Sequence, residues 1–479
     1  MIKEHSEIFA KTKILGTLGP ATSDKETLIQ LLRAGIDGVR LNFSHGNYDF
    51  YKSLFKTIED AAKEDNSVVS ILLDLQGPKI RIGELEQPEF QIAAGEIIEI
   101  TNEQIKGNKN KISTSYLPLP QDAQIGDQIL IDDGLLKLRI IKKTNTSVVC
   151  EIENGGTLKP KKGMNLPGMK LSTPSVTEKD LSDLEFALQY RVDYVALSFV
   201  RDAKDILDLK KWMSDRGYNK PVIAKIEKKE AVDNFKEILE VADGIMVARG
   251  DLGVEMNPED VPIIQKNIIY KCNAVGKIVI TATQMLESMI NNPIPTRAEA
   301  SDVANAVWDG TDVVMLSGET SVGKYPIKTV EVMNNILLKA ESNFQLKRHV
   351  DFNIPKSIEE NMFDASNHAI CYVSEQTNAK AIIVLTHEGR AAKRLSKFRP
   401  EAKIIAVSDN YDTINQLNLK WGITSLYYHE IKKEGFVIDE IKKMILDSGH
   451  VKKGDIVIFA AGAPYSEKSR LNWQKFEEM

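Results

Sequence analysis

Eight short runs rich in apolar and β-branched residues punctuate this chain, and the stretches between them carry apolar residues at three- and four-residue spacing. That alternation constrains the fold more than any other feature. Each run reads as a buried parallel strand and each intervening stretch as a helix packed over it. The runs are residues 12–18 (TKILGTL), 38–43 (GVRLNF), 70–75 (SILLDL), 194–199 (YVALSF), 222–227 (VIAKIE), 244–249 (GIMVAR), 278–283 (IVITAT) and 313–317 (VVMLS). Segments such as KETLIQLLRAG (25–35) and EAVDNFKEILEVA (230–242) supply the helical pattern. Eight βα repeats predict an α/β chain built on a (β/α)₈ barrel, with an open doubly wound sheet as the alternative that pattern alone leaves standing.

The repeat is interrupted once. From 78 to 169 the pattern switches to strand-like alternation with Gly, Asn and Asp turns, as in FQIAAGEIIEI, GDQILIDDGLLKLRII and TSVVCEIENGG. This predicts a small all-β module inserted after the third strand of the main barrel, with its hinges beside polar barrel-end residues, as a lid would require. A third unit, a parallel α/β domain, is expected from about 351, with strands at 381–386, 403–408 and 456–462. The expected division is therefore 11–77 with 170–348 for the barrel, 78–169 for the inserted β module and 351–479 for the C-terminal α/β domain. A chain of 479 residues exceeds what one core usually supports, in keeping with three units.

Charge and cysteine usage narrow the function. A net charge of −6 argues against a nucleic-acid partner, which wants a basic face. Cys150, Cys272 and Cys371 are far apart, which disfavours a disulfide framework or a zinc cluster and fits a reducing compartment. The first residues, MIKEHSEIFAKTK, lack an apolar targeting core, and no stretch approaches 18 apolar residues. A cytoplasmic protein with no membrane partner is expected.

In a βα barrel, chemistry gathers where strands end and the following loops begin. Those ends carry Arg40, Asn42, Ser44 and His45 after the second run, and Asp74, Lys79 and Arg81 after the third. Ser198 and Arg201 follow the fourth, Lys225 and Glu227 the fifth, Arg249, Gly250 and Asp251 the sixth. Thr281, Thr283 and Gln284 end the seventh, and Ser317, Gly318 and Glu319 the eighth. Lys225 and Glu227 stand two apart on a strand and point the same way, either as a structural salt bridge or as a metal-binding carboxylate beside a fixed cation. Asp251 offers a second carboxylate, and two such oxygens suit Mg²⁺, which keeps water and shares phosphate ligands. The glycine-rich ARGDLGVE (248–255) precedes a helical stretch and can bring backbone amides to an anion. Lys162 lies near the end of the insertion, beside GMNLPG. GxGxxG and Walker motifs are absent, and neither His45 nor His368 has a histidine or cysteine at ligand spacing.

RLNFSHG (40–46), DLQGPKIRIG (74–83), KKGMNLPG (161–168), AKIE (224–227), MVARGDLGVE (246–255), TATQMLESM (281–289), PTRAEASDVANAVWDG (295–310) and MLSGET (315–320) together resemble the pyruvate kinase family, in the family's order. The resemblance runs from about residue 11 to beyond 460. It implies a (β/α)₈ barrel, a β-barrel lid, a C-terminal α/β regulatory domain and usually a homotetramer, and transfer of the phosphoryl group of phosphoenolpyruvate to ADP, giving pyruvate and ATP in the last step of glycolysis. It assigns Lys225 as the catalytic cation and Glu227 and Asp251 as ligands of Mg²⁺ or Mn²⁺. Arg40 would bind the phosphoryl group, and Gly250, Asp251 and Thr283 the substrate carboxylate, with Thr283 also near a proton relay. Arg81 and Lys162, with His45 nearby, would reach the nucleotide phosphates.

Two departures from the family pattern carry expectations of their own. Many members read Thr-Lys-Gly-Pro-Glu after the strand-three aspartate and need K⁺, whereas this chain reads Leu75-Gln76-Gly77-Pro78-Lys79. The Lys79 ammonium is expected to replace K⁺ at Asn42, Ser44 and Asp74. The loops THEGRAAKRL (386–395) and APYSEKSRLNW (463–473) are poor in the hydroxyl and glycine donors of a sugar-phosphate site, although Arg390, Lys393 and Lys468 remain. Activation by fructose 1,6-bisphosphate is therefore not expected. Rival readings are another metal-dependent barrel acting on phosphoenolpyruvate or pyruvate, and a catalytically dead homologue. The first needs no Arg81 and Lys162, and the second would have lost Lys225, Glu227 or Asp251.

Overall fold

A computed structural model describes residues 9–44, 47–342, 357–429, 437–462 and 471–479. Eight parallel strands close into a barrel, and they are the eight predicted runs: Lys13–Thr17, Gly38–Asn42, Ser70–Asp74, Tyr194–Leu197, Val222–Ile226, Gly244–Ala248, Ile278–Ala282 and Val313–Leu316. The first pairs with the last, Lys13 opposite Val313, so no edge remains and the doubly wound alternative is excluded. Side chains that point inward, among them Leu15, Leu72, Ile223, Met246, Ile280 and Met315, fill the barrel, while a larger apolar layer separates the strands from their helices. Burial on both faces is why the strands read as unbroken apolar runs.

Local chemistry fixes where the helices begin. Asp24 accepts a hydrogen bond from the Thr27 amide to start Lys25–Ala34, and reciprocal capping boxes (Thr177 with Asp180, Thr296 with Glu299) start Glu178–Ala187 and Arg297–Asp309. Gly35 and Gly310 stop helices at positive φ.

The insertion holds a six-stranded sheet in the order Met164–Asn165, Gln128–Ile131, Leu136–Lys143, Ser147–Asn154, Ile97–Thr101, Lys111–Ser113. A two-stranded ribbon, Phe90–Ile92 with Gly156–Leu158, lies beside it. It has its own apolar core around Ile98, Ile100, Leu138 and Ile152. The unit is not purely β, since Leu119–Asp122 forms one helical turn started by Pro118 and Pro120.

The C-terminal unit is a five-stranded sheet in the order Ile423–Tyr427, Lys403–Ser408, Ala381–Leu385, Ile456–Ala461, Trp473–Glu478. Its last strand runs antiparallel, which corrects the expectation of an all-parallel sheet. WQKFEE is polar on alternate positions because it lies at an edge, and edge strands tolerate that. The unit docks on the N-terminal end of the barrel, where Leu419 joins the barrel's inner core. Asn418 donates to the carbonyls of Asp37 and Val68, and Asp312 accepts ion pairs from Arg399 and Lys420, each at 2.9 Å. Among the described residues no helix is long and apolar enough to cross a membrane.

Candidate active site

The C-terminal mouth of the barrel holds a compact set of opposed charges. Nζ of Lys225, almost fully buried at the end of the fifth strand, lies 2.8 Å from Oε1 of Glu227 and 3.2 Å from Oδ1 of Asp74. It also donates to Ser198 Oγ at 2.7 Å, and that hydroxyl donates in turn to the Leu75 carbonyl. Arg40 approaches from the second strand, its Nε 2.6 Å from Oδ2 of Asp74 and its Nη1 donating to Thr17 Oγ1 at 3.0 Å. So the salt bridge between Lys225 and Glu227 does form, but within a wider cluster.

The protonation behaviour follows from this crowding. Burial works to raise the Asp74 carboxyl, yet Lys225 and Arg40 hold it below the usual range. Burial likewise disfavours the Lys225 ammonium, and Asp74 and Glu227 more than offset that, so the side chain stays a cation. Glu227 is pushed up, first by burial and also by the nearby charge of Asp251. Asp251 is pushed up by burial too. Two cations, Arg40 and Lys225, thus face three carboxylates, Asp74, Glu227 and Asp251, leaving one negative charge in excess.

Beside this cluster the sixth strand runs into the short helix Arg249–Glu255. Arg249 fixes the turn with both Asp302 oxygens (2.8 and 2.6 Å) and with the carbonyls of Ala282 and Thr283. The Gly250 amide donates to Thr283 Oγ1 at 2.8 Å, and that hydroxyl donates to the Ala282 carbonyl at 2.7 Å. Thr283 and Gln284 both adopt positive φ, +67° and +55°, a strained conformation common where function dictates backbone shape. The strain turns the Thr283 hydroxyl toward the Gly250–Asp251 turn.

The insertion and the barrel mouth together line a half-open cavity of about 320 Å³, with Lys79, Arg81, Asp132, Asp133, Lys162 and Asp251 among its walls. Asp251 links the cavity to the charge cluster below. Nζ of Lys162 is held 2.8 Å from Oδ1 of Asp132. Lys79 reaches solvent and makes no ion pair or hydrogen bond through its ammonium among the described residues. Its pKa is lowered by the protein around it, then by Arg81 and Lys225, with Asp251 and Asp74 opposing, so its charge is felt at the cluster without contact. Asn42 Oδ1 accepts from the Ser44 amide at 3.2 Å, while Asp74 is engaged by Arg40 and Lys225. His45 lies outside the described residues.

Sequence reasoning missed Asp132, Asp133, Lys228 and Glu255, which line the same cavity, and Thr17, which orients Arg40. One signal existed, the successive carboxylates of the turn IDDG, and the structure gives both Asp132 and Asp133 positive φ there. Lys228 directly follows the AKIE motif but looks like ordinary surface charge.

Cations and carboxylates converging on one mouth, under an overhanging unit with cations of its own, define a phosphoryl-transferring enzyme on a (β/α)₈ barrel. Residues 9–330 match the family model described as pyruvate kinase, barrel domain, and residues 364–475 that described as pyruvate kinase, alpha/beta domain. The chain belongs to the pyruvate kinase family. It is 43% identical to a pyruvate kinase of Staphylococcus saprophyticus over 97% of this chain and 80% of that one, and 42% identical, with the same coverage, to one of Staphylococcus aureus. Among solved structures it is similar to a pyruvate kinase from Cryptosporidium parvum, with a TM-score of 0.91 at 37% identity, covering 98% of this chain and 96% of that one.

Proposed function

We propose that this chain transfers the phosphoryl group of phosphoenolpyruvate to ADP, yielding pyruvate and ATP. The observation that carries the reading is the Asp74-centred cluster, which aims Arg40 and Lys225 at one point of the barrel mouth. The bond from phosphorus to the enol oxygen breaks as one to a β-phosphate oxygen of ADP forms. Negative charge on the moving group and the enolate is met by Lys225 and Arg40, already desolvated and fixed, so little reorganisation accompanies transfer. The substrate carboxylate sits against the Gly250–Asp251 turn and Thr283. The enolate is then protonated at carbon, and the Thr283 hydroxyl, released from the Ala282 carbonyl, passes a proton through water.

Glu227 and Asp251 fit a hard divalent cation, Mg²⁺ or Mn²⁺. Glu227 is buried and Asp251 half-buried, and both are carboxylates in a cluster with one excess negative charge, the oxygen chemistry a hard cation prefers. Held by these two carboxylates, such a cation would supply positive charge to neutralise the transferring phosphoryl group. Lid closure brings Arg81 and Lys162 to the nucleotide phosphates, with Lys162 leaving Asp132; His45 belongs to the same subsite. Lys79 supplies the monovalent charge at Asn42, Ser44 and Asp74, which removes the need for K⁺.

The same reading makes the chain a cytoplasmic, glycolytic homotetramer, divided as 11–77 with 170–348, 78–169 and 351–479. Fructose 1,6-bisphosphate does not activate it, a reading supported by the pairing of Arg390 with Glu388 at 3.0 Å; Lys468 lies outside the described residues. The test is pyruvate release by wild type and Lys225→Met with phosphoenolpyruvate, ADP and Mg²⁺. Loss of about 10³-fold in kcat is expected. Near-normal turnover of the variant excludes this mechanism.

A further inference from the structure

Two charged side chains in the cavity are left without full partners. Lys228, which follows the metal ligand Glu227, is 5% exposed, and its ammonium makes no hydrogen bond or ion pair among the described residues, only an approach of 6.0 Å to the Phe199 ring. Glu255 ends the short helix that carries Gly250 and Asp251, is 9% exposed, and has one oxygen, Oε2, with no hydrogen-bond partner. Burying unpaired charge is costly, so such a pair is expected to meet a ligand or a moving group. Burial pushes the Glu255 carboxyl up, and the charge of Lys228 opposes this first, then the Asn165 carboxamide, which lies in the last strand of the insertion and lines the same cavity. A carboxamide has a donor end and an acceptor end, which suits a bracket of carboxylate and ammonium.

We propose that Lys228 and Glu255 are positioning residues that latch the closed lid through Asn165. On closure the Asn165 amide nitrogen donates to Glu255 Oε2, and its oxygen accepts from Lys228. Neither barrel residue touches substrate. Asn165 lies three residues beyond Lys162, a strand length of about 10 Å, so seating it fixes how far Lys162 advances over the nucleotide phosphates. Both arms of the bracket sit on the elements that carry Glu227 and Asp251, which ties the lid's final angle to the metal ligands. This inference rests on the lid reading above.

The test is kinetic, on the full-length protein. Asn165→Ala and Glu255→Gln are each expected to lower kcat/KM for ADP about 10-fold, the double variant no further, and the affinity for phosphoenolpyruvate with Mg²⁺ alone, read by intrinsic fluorescence, is expected to stay put. Asn165→Asp places two carboxylates together and is expected to lose more, and adding Glu255→Gln, whose amide can donate to Asp, is expected to restore most of it. A merely structural role gives no such rescue. Additive losses in the Ala/Gln pair, equal damage to phosphoenolpyruvate affinity, or no rescue in the Asp/Gln pair overturns the latch. Lys162→Met with an unchanged ADP dependence overturns the lid reading itself, a separate result.

Discussion

Nε of Arg40 lies 2.6 Å from one oxygen of Asp74, and the other oxygen of the same carboxylate lies 3.2 Å from Nζ of Lys225. One buried side chain therefore sets the separation and aim of two cations that arrive on different strands. Asp74→Asn keeps the shape and removes the charge. Lys225 and Arg40 then repel, and each turns toward Glu227 or solvent. The expected result is a fall of roughly 10²-fold in kcat/KM for phosphoenolpyruvate, larger than the change for ADP, since the proposed mechanism has these groups bind the phosphoryl end of the substrate. Steady-state kinetics with each substrate varied separately, alongside a thermal melt, checks it.

Lys79 yields a prediction with a clear sign. With Lys79 in its proposed role, wild type is expected to turn over equally well in tetramethylammonium and potassium salts. Lys79→Glu exchanges that charge for a carboxylate beside Asp74 and Asp251. The variant is expected to be slow in tetramethylammonium, by at least about 10-fold, and to recover as K⁺ is added. A wild-type enzyme that itself needs K⁺ contradicts the assignment of Lys79.

The eight strands were legible because parallel strands buried on both faces have no choice but to be apolar, and the charged residues at their ends stand out against that background. Arg40, Asp74, Lys225 and Glu227 were each visible for this reason. Their mutual pairing was not, since residues 40, 74 and 225 meet only when the barrel closes. Leu419 shows the same limit from the other side. Nothing in LNLKWG (417–422) marks it as a docking segment, yet Leu419 enters the barrel's inner core and Lys420 reaches Asp312. The strand Trp473–Glu478 was hidden by its polarity, which an edge position permits. Lys228 and Glu255 were hidden because charge next to a motif is usually solvated; only burial distinguishes them.

Asp193, at the start of the fourth barrel strand, makes stability depend on pH in an unusual direction. Burial pushes its carboxyl up to about 6, against the pull of Arg191 at 3.0 Å and the Ile71 amide. The folded state thus holds this proton more tightly than the unfolded chain, where an aspartate titrates near 4. The associated stability is fully present below about pH 4 and is lost as pH rises through 6. Asp193→Asn removes the titration. Between pH 7.5 and 5, wild type is expected to gain about 1 kcal/mol relative to the variant, read from urea midpoints at each pH.

Asp312 sits at the seam between barrel and C-terminal unit and behaves in the opposite sense. It is wholly buried, it accepts from the Val279 amide at 3.0 Å, and Lys420 and Arg399 hold it below the usual carboxylate range despite burial. Arg399 also donates to the Gly310 carbonyl and to Asn273, and stacks 4.6 Å from the Trp421 ring, so both cations are committed to this seam. Asp312→Asn leaves two buried cations facing a neutral amide. Breaking a buried pair by removing one partner costs about 3–5 kcal/mol, and here the loss falls on the docking of the whole C-terminal unit. Urea unfolding is expected to become biphasic, with an early transition for that unit. Lys420→Met alone keeps the Arg399 pair and costs less. Adding it to Asp312→Asn removes one stranded cation and is expected to recover part of the loss, a coupling that a double-mutant cycle measures directly. Purely additive effects refute the idea that these charges act as one cluster.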